Sequence, residues 1–280
     1  MTLPEAHPAD THPADTHPAD THSGTTPVVL EATGVRTTRP TRPARPARSA
    51  QSTPAPEVTF TASPGLTVLR GGREDHTTAL SLTLAGRRRP SAGTITLHDR
   101  HKSWSRAGEL FSRIALAGAT EIDSLERQVP VRAVVKEQLA WSVPWWKPVG
   151  DPADHPHVRD WAGLLGIADT IAAREPVGGL AVADRFRLRI LLSLIARPRA
   201  RLLVIDDIDQ VRDMGLRAEL LADAALLSTR IPVIVSTVNE LAGQVAPGVA
   251  AACTLIDVRG GAARRAADAA AVPARGEGVR

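Results

Sequence analysis

Short apolar stretches dominate the first third of the chain, and longer helical stretches alternate with apolar strands in the remainder. Residues 27–35 (PVVLEATGV) predict a first strand, EVTFTA at 57–62 alternates as a second, and LTVLRGG at 66–72 predicts a third that enters a glycine turn. Pro64-Gly65 supplies the turn between the last two. TTALSLTLAG at 77–86 predicts a helix closing at Gly86, and TITLHD at 94–99 another strand. Helices are expected over 134–141, 156–173, 182–197 and 214–228. RLLVIDDID at 201–209 predicts a buried strand ending in acids, and IPVIVST at 231–237 a second buried strand. Strands first and helix-strand alternation later imply an α/β sheet protein.

Two segments interrupt this pattern because they have nothing to bury. His-Pro-Ala-Asp-Thr repeats three times from residue 7 to 21, and a proline every fifth residue prevents a helix. Residues 1–26 are therefore expected as a disordered tail, whose histidines, at a spacing of five, offer at most loose metal binding. Residues 36–56 are rich in Arg-Pro units and are expected as an extended, solvated insertion in a surface loop. Their arginines suit nucleic acid or anionic lipid, but no aromatic residue interleaves to stack on bases, so no specific nucleic-acid partner is expected. Residues 261–280, rich in Ala and Arg, are expected as a second disordered tail.

Charge and composition narrow the reading further. The net charge of +4 is unevenly spread: residues 1–26 carry four acids and no Lys or Arg, whereas 27–56 carry five arginines against Glu31. The folded middle is close to neutral, so the charge is not a nucleic-acid signal for the core. A lone cysteine, Cys253, excludes an intramolecular disulfide framework and a multi-cysteine zinc site. The chain has neither an apolar run of about 18 residues nor a visible signal peptide, which suggests a soluble cytosolic protein. Only three of the 34 basic residues are lysine: Lys102, Lys136 and Lys147.

The candidate chemistry lies at 71–78, GGREDHTT, between a predicted strand and a predicted helix. That layout is a phosphate-binding loop, in which backbone amides and a helix N-terminus cradle phosphate and a lysine neutralises it. Gly71 and Thr78 match the pattern G-x-x-x-x-G-K-[ST], but His76 replaces the second glycine and Thr77 the lysine. The surroundings resemble the nucleotide-binding domain of ATP-binding cassette (ABC) transporters. Leu84, Ala85, Gly86, Pro90, Gly93, Ile95 and Leu97 fit the family's spacing after the loop, and LLVIDDID at 202–209 resembles its Walker B strand. The resemblance spans roughly 27–260.

What the resemblance implies is a P-loop NTPase fold of ABC type, with a mixed sheet, an antiparallel β edge and a small helical subdomain at about 120–175. It implies ATP and Mg2+ as cofactors. Gly71, Gly72, His76, Thr77, Thr78, Asp206 and Asp213 take its nucleotide-binding positions, with Thr78 and Asp206 on the metal. Asp207 takes the place of the catalytic glutamate, and Arg73 is a weaker candidate for phosphate. Other family positions are altered: the signature stretch reads Leu180, Ala181, Val182, Ala183, Asp184, Arg185, Phe186, Arg187, and Val238 stands where the switch histidine belongs. No glutamine occupies the expected glutamine loop near Ala119, Gln128 being too far along, and 28–59 holds no adenine-stacking aromatic. The expected function is the ATP-binding subunit of a transporter, with weak or no hydrolysis. It would work as a homodimer or heterodimer with another ABC domain, beneath a separately encoded membrane-spanning subunit at the inner face of the plasma membrane. The alternative is a non-hydrolysing pseudo-ATPase that regulates or assembles a membrane complex. WSVPWWKPVG at 141–150 offers either an apolar docking patch for that partner or tryptophans packed over a small core.

Overall fold

The continuous apolar runs become the centre of a parallel sheet buried on both faces. The computed structural model describes residues 29–37, 57–72, 77–120, 124–172, 174–240, 248–249, 253–258 and 263–265. Strands β1 (Val29–Arg36), β2 (Val58–Ala62) and β3 (Leu66–Arg70) come first, followed by helix α1 (Thr77–Leu84). Strands β4 (Ala92–Asp99) and β5 (Lys102–Trp104), helix α2 (Ala107–Arg113) and strand β6 (Ile114–Ala117) come next. Four helices then run in succession: α3 (Val131–Ser142), α4 (Pro156–Leu164), α5 (Ala168–Ala172) and α6 (Val182–Ala196). The remainder is β7 (Leu202–Ile205), α7 (Met214–Leu227), β8 (Val233–Thr237), β9 (Cys253–Asp257) and β10 (Ala263–Arg265).

These strands form two sheets. One is antiparallel, in the order β2-β1-β4-β5; the other runs β10-β9-β3-β8-β7-β6, parallel except for β10 at its edge. Successive residues of the parallel strands enter different cores: Val68, Leu203, Ile205, Val233 and Val235 face helices α3 to α7. Leu69, Leu202, Val204 and Ile234 face α1 and the antiparallel sheet. Burial on both faces is why these segments read as unbroken apolar runs rather than alternating ones. Helix α1 has neighbours on all sides, so Ala79 through Leu84 are buried without a polar face. Cys253 is buried in β9, and burial pushes its thiol up to about 11.

Two expectations change. The helix expected over 156–173 breaks into α4 and α5, because Gly166 takes φ +66° and the Ile167 N–H turns back to the Ala162 carbonyl. Only glycine reaches that left-handed conformation readily, so it ends α4 after two and a half turns. The stretch 261–280, expected as tail, contains β10, which pairs antiparallel with β9 through the backbone. Edge pairing needs no buried side chain, so an Ala-Arg-Arg sequence satisfies it without a hydrophobic signal. The repeats at 7–21 and nearly all of the Arg-Pro segment lie outside the described residues.

Candidate functional site

Three loops meet at the carboxyl ends of the parallel strands, because β8 lies between β3 and β7 in the sheet. Beyond β3, the Gly71 N–H donates to the Thr237 carbonyl at 3.0 Å, tying the start of the glycine turn to the end of β8. Gly71 is buried and Gly72 half-buried; His76 and Arg73 lie outside the described residues. Thr77 and Thr78, both half-buried, open α1, whose first N–H groups have no partner within the helix. A helix start behind a glycine turn can receive an anion. No lysine belongs to this stretch.

The loop after β7 is held by many hydrogen bonds. The strand stops at Ile205, before the acids, which instead occupy the turn leading to α7. Asp206 is 1% exposed, and its Oδ1 accepts from Ser236 Oγ at 2.9 Å. The other carboxylate oxygen, Oδ2, is buried with no hydrogen-bond partner among the described residues. A buried carboxylate oxygen without a donor is costly unless something positive completes it, and a divalent cation is such a group. The same Ser236 Oγ accepts from the Asp207 N–H at 2.8 Å.

Asp207 has φ +45° and ψ +66°, the only non-glycine with positive φ among the described residues. Aspartate tolerates this region better than most residues, yet such conformations persist only where surroundings impose them. Burial, aided by the Asp206 and Asp209 carboxylates, pushes Asp207 above the usual carboxylate range.

Asp209, Arg217 and Gln210 support this turn, and the motif comparison singled out none of them. Asp209 Oδ2 accepts from the Val238 N–H at 2.6 Å and from Thr237 Oγ1 at 2.8 Å. Its Oδ1 lies 3.2 Å from Arg217 Nη1, close enough to pair but misaligned for a hydrogen bond. Arg217 is 4% exposed and also donates twice to the Val211 carbonyl. Gln210 Nε2 donates to the Gly118 carbonyl at 2.6 Å, while its Oε1 accepts from Arg189. Gly118, at φ +84°, follows β6 so closely that a Cβ would collide with the Asp206 carbonyl oxygen. For Asp209 and Gln210 the signal is three-dimensional, since each joins loops that are distant in sequence, while Arg217 acts locally on its own turn.

The remaining candidates have other engagements. Asp213 caps α7, its Oδ1 accepting from the Leu216 N–H at 2.9 Å, which gives the aspartate a structural reason to be there. Ala181 stands at the N-cap of α6 with no side-chain hydrogen bond. Arg187 bridges α6 and α7, pairing with Asp184 at 2.9 Å and Asp223 at 2.7 Å. Ala119 is buried and Gln128 exposed. Trp141, Trp145 and Trp146 are 80%, 90% and 70% exposed, so they do not pack over a subdomain core.

No family model matches the sequence, and no curated protein matches it either. Solved structures do match in fold. One is cbiO1 from Clostridium perfringens, part of the ABC transporter complex cbiONQ, at TM-score 0.60 and 14% identity over 86% of this chain and 89% of that one. Another is a bacterial Atm1-family ABC exporter with ATP bound, at TM-score 0.57 and 14% identity; the match covers 88% of this chain and 40% of that longer one. A metal-chelate type ABC transporter in an inward-facing conformation gives TM-score 0.59 and 12% identity over 86% of this chain and 84% of its own. At such identities the likeness shows the fold, and it is the α/β P-loop fold of ABC ATPase domains.

Proposed function

We propose that the chain is an ATP-binding subunit of an ABC-type transporter whose site holds Mg·ATP weakly and hydrolyses it slowly or not at all. The observation that carries this reading is the buried Asp206 Oδ2, without a donor among the described residues, at the carboxyl edge of the sheet shared with the glycine turn that precedes α1. In this reading Asp206 and Thr78 hold the cation, while Gly71, Gly72, His76, Thr77 and Thr78 surround the phosphates. Asp213 borders the site from the start of α7, and Asp207 would orient the attacking water.

Slow turnover follows from the side chains present. Phosphoryl transfer relies on positioning and charge stabilisation, and Thr77 brings no charge. Asp207 is one methylene shorter than glutamate, and a misplacement of about 1 Å costs roughly 100-fold. Val238 offers no group to a terminal phosphate, and its N–H is held by Asp209.

The membrane partner would dock on the helical side. Trp145 and Trp146 stack edge to face at 5.8 Å and are exposed. Near Trp141 a groove of about 270 Å³ opens between α3 and α6, lined by Leu125, Val134, Gln138 and Leu192. A separately encoded membrane-spanning subunit, pairing with a second ABC domain and residence at the inner membrane face belong to this proposal. A second reading, a non-hydrolysing regulatory or assembly partner, is favoured by the uncharged Thr77 and Val238.

Two measurements separate them. Titration with Mg·ATP should show weak binding that Asp206→Asn weakens further; binding indifferent to that change would overturn the nucleotide reading. Steady-state phosphate release should stay far below that of an intact family member, and brisk release abolished by Asp207→Asn would overturn the non-hydrolysing alternative.

A further inference from the structure

At the opposite edge of the parallel sheet, a cleft of about 480 Å³ opens where β6 and β7 begin. Lys102, Arg113, Arg199 and Arg201 line it, with Asp99 the only acid among the described lining residues and Trp104 its aromatic wall. Arg113 lies over the Trp104 ring at 4.3 Å, and Arg201 Nη1 stands 3.7 Å from Asp99 Oδ2. Lys102, Arg199 and Arg201 are exposed, so four cations against one carboxylate leave the cleft with an excess of three positive charges facing solvent. A concave surface of one sign focuses its field and draws in anions.

The register of the antiparallel sheet brings one particular anion to this place. Val29, at the start of β1, pairs with His98, and Asp99 pairs with Lys102 across the β4–β5 hairpin. The chain therefore enters β1 beside the hairpin that forms one wall of the cleft. Immediately upstream, residues 1–26 carry Glu5, Asp10, Asp15 and Asp20 and no Lys or Arg. Asp20 precedes Val29 by nine residues, a span of up to about 30 Å when extended. Such tethering holds a segment at roughly millimolar effective concentration, so weak charge pairing suffices to keep it in place.

We infer that the basic cleft is the docking site of the chain's own acidic N-terminal segment, residues 1–26. The tail's carboxylates meet Lys102, Arg113, Arg199 and Arg201, at the sheet edge opposite Asp206. This contact stands independently of whether the other edge binds nucleotide.

Lysine scarcity supplies the test. A water-soluble carbodiimide condenses a carboxylate with a lysine amine to an amide, taking up the lost water as its urea. Only Lys102, Lys136 and Lys147 can report, and the Arg-Pro segment contains no lysine. Applied to the full chain at low salt, the reaction should join tail carboxylates to Lys102 in preference to the other two lysines, by roughly fivefold or more given the tether. The yield should fall at about 0.5 M salt, where screening shortens to ~4 Å. Arg199→Glu with Arg201→Glu should abolish the preference. The tail variant Asp10→Asn, Asp15→Asn, Asp20→Asn should lower coupling of the remaining Glu5 without touching any residue of the sheets. Equal coupling to all three lysines, or a Lys102 yield unmoved by both variants, would overturn the inference. So would tripolyphosphate shielding Lys102 in a chain whose tail never couples, since the cleft would then belong to a soluble anion.

Discussion

The loops after β7 and after β3 lie one strand apart on the same sheet edge, yet they are built differently. The first is over-determined: Ser236 holds Asp206 and Asp207, while Asp209 ties Thr237 and Val238 to the buried Arg217. In the second, the Gly71 N–H donates to the Thr237 carbonyl, and α1 opens on the uncharged Thr77 and Thr78. A carboxylate cluster can be kept by structural bonding alone, whereas a phosphate cradle is kept only by a phosphate. The acidic half of the candidate site therefore has a reason to persist that the phosphate half lacks.

The comparison breaks most readily at Arg217. Arg217→Ala should lower stability by about 3–5 kcal/mol, because it strands Asp209 uncompensated in the interior; urea unfolding measures this, and a loss below about 1 kcal/mol would mean the turn is not held as described. Ser236→Ala removes the two hydrogen bonds that Ser236 makes with the acidic pair and should lower stability by roughly 1–3 kcal/mol, again read by unfolding.

The other loop is probed by gain rather than loss. Thr77→Lys supplies the missing charge and should tighten Mg·ATP binding by about tenfold, equivalent to ~1.4 kcal/mol; titration calorimetry showing no change would mean the deficit lies elsewhere in the cradle. Asp213→Ala removes the α7 cap and should lower stability by about 1 kcal/mol, read by unfolding.

The smallest effect is a pH slope. The folded-state pKa of Asp207 lies above its unfolded value, so the folded chain takes up this proton first as pH falls. Its contribution to stability therefore grows from neutral pH down towards the usual carboxylate range, and Asp207→Asn removes that part of the slope. Stability profiles of the two proteins that run parallel would show that the carboxylate is not buried as described.

Much of the sheet was legible because burial on both faces leaves a plain mark. The runs at 66–70, 202–205 and 233–237 appear as strands, and α1, α6 and α7 fall within a few residues of their expected bounds. The strands β5, β6 and β9 and helix α2 gave no such mark. Helix α2 passes into β6 at Ile114 with no intervening Gly or Pro, and β6 is four residues long, too short for a period to register. At the candidate site, Asp206, Asp207 and the glycine turn stood out by spacing, which survives in the sequence. Asp209 and Gln210 did not, since their partners Val238 and Gly118 become neighbours only once strands are ordered in the sheet, and Arg217, though six residues from Val211, belongs to no motif spacing.

The buried thiol of Cys253 has a practical corollary. A thiol that ionises only near pH 11 and sits inside β9 offers almost no nucleophile to an aqueous maleimide at neutral pH. Towards such reagents the native chain behaves as though it had no cysteine. A single cysteine introduced at the surface, in place of Trp145 for instance, becomes an address for a dye or spin label without any background to remove.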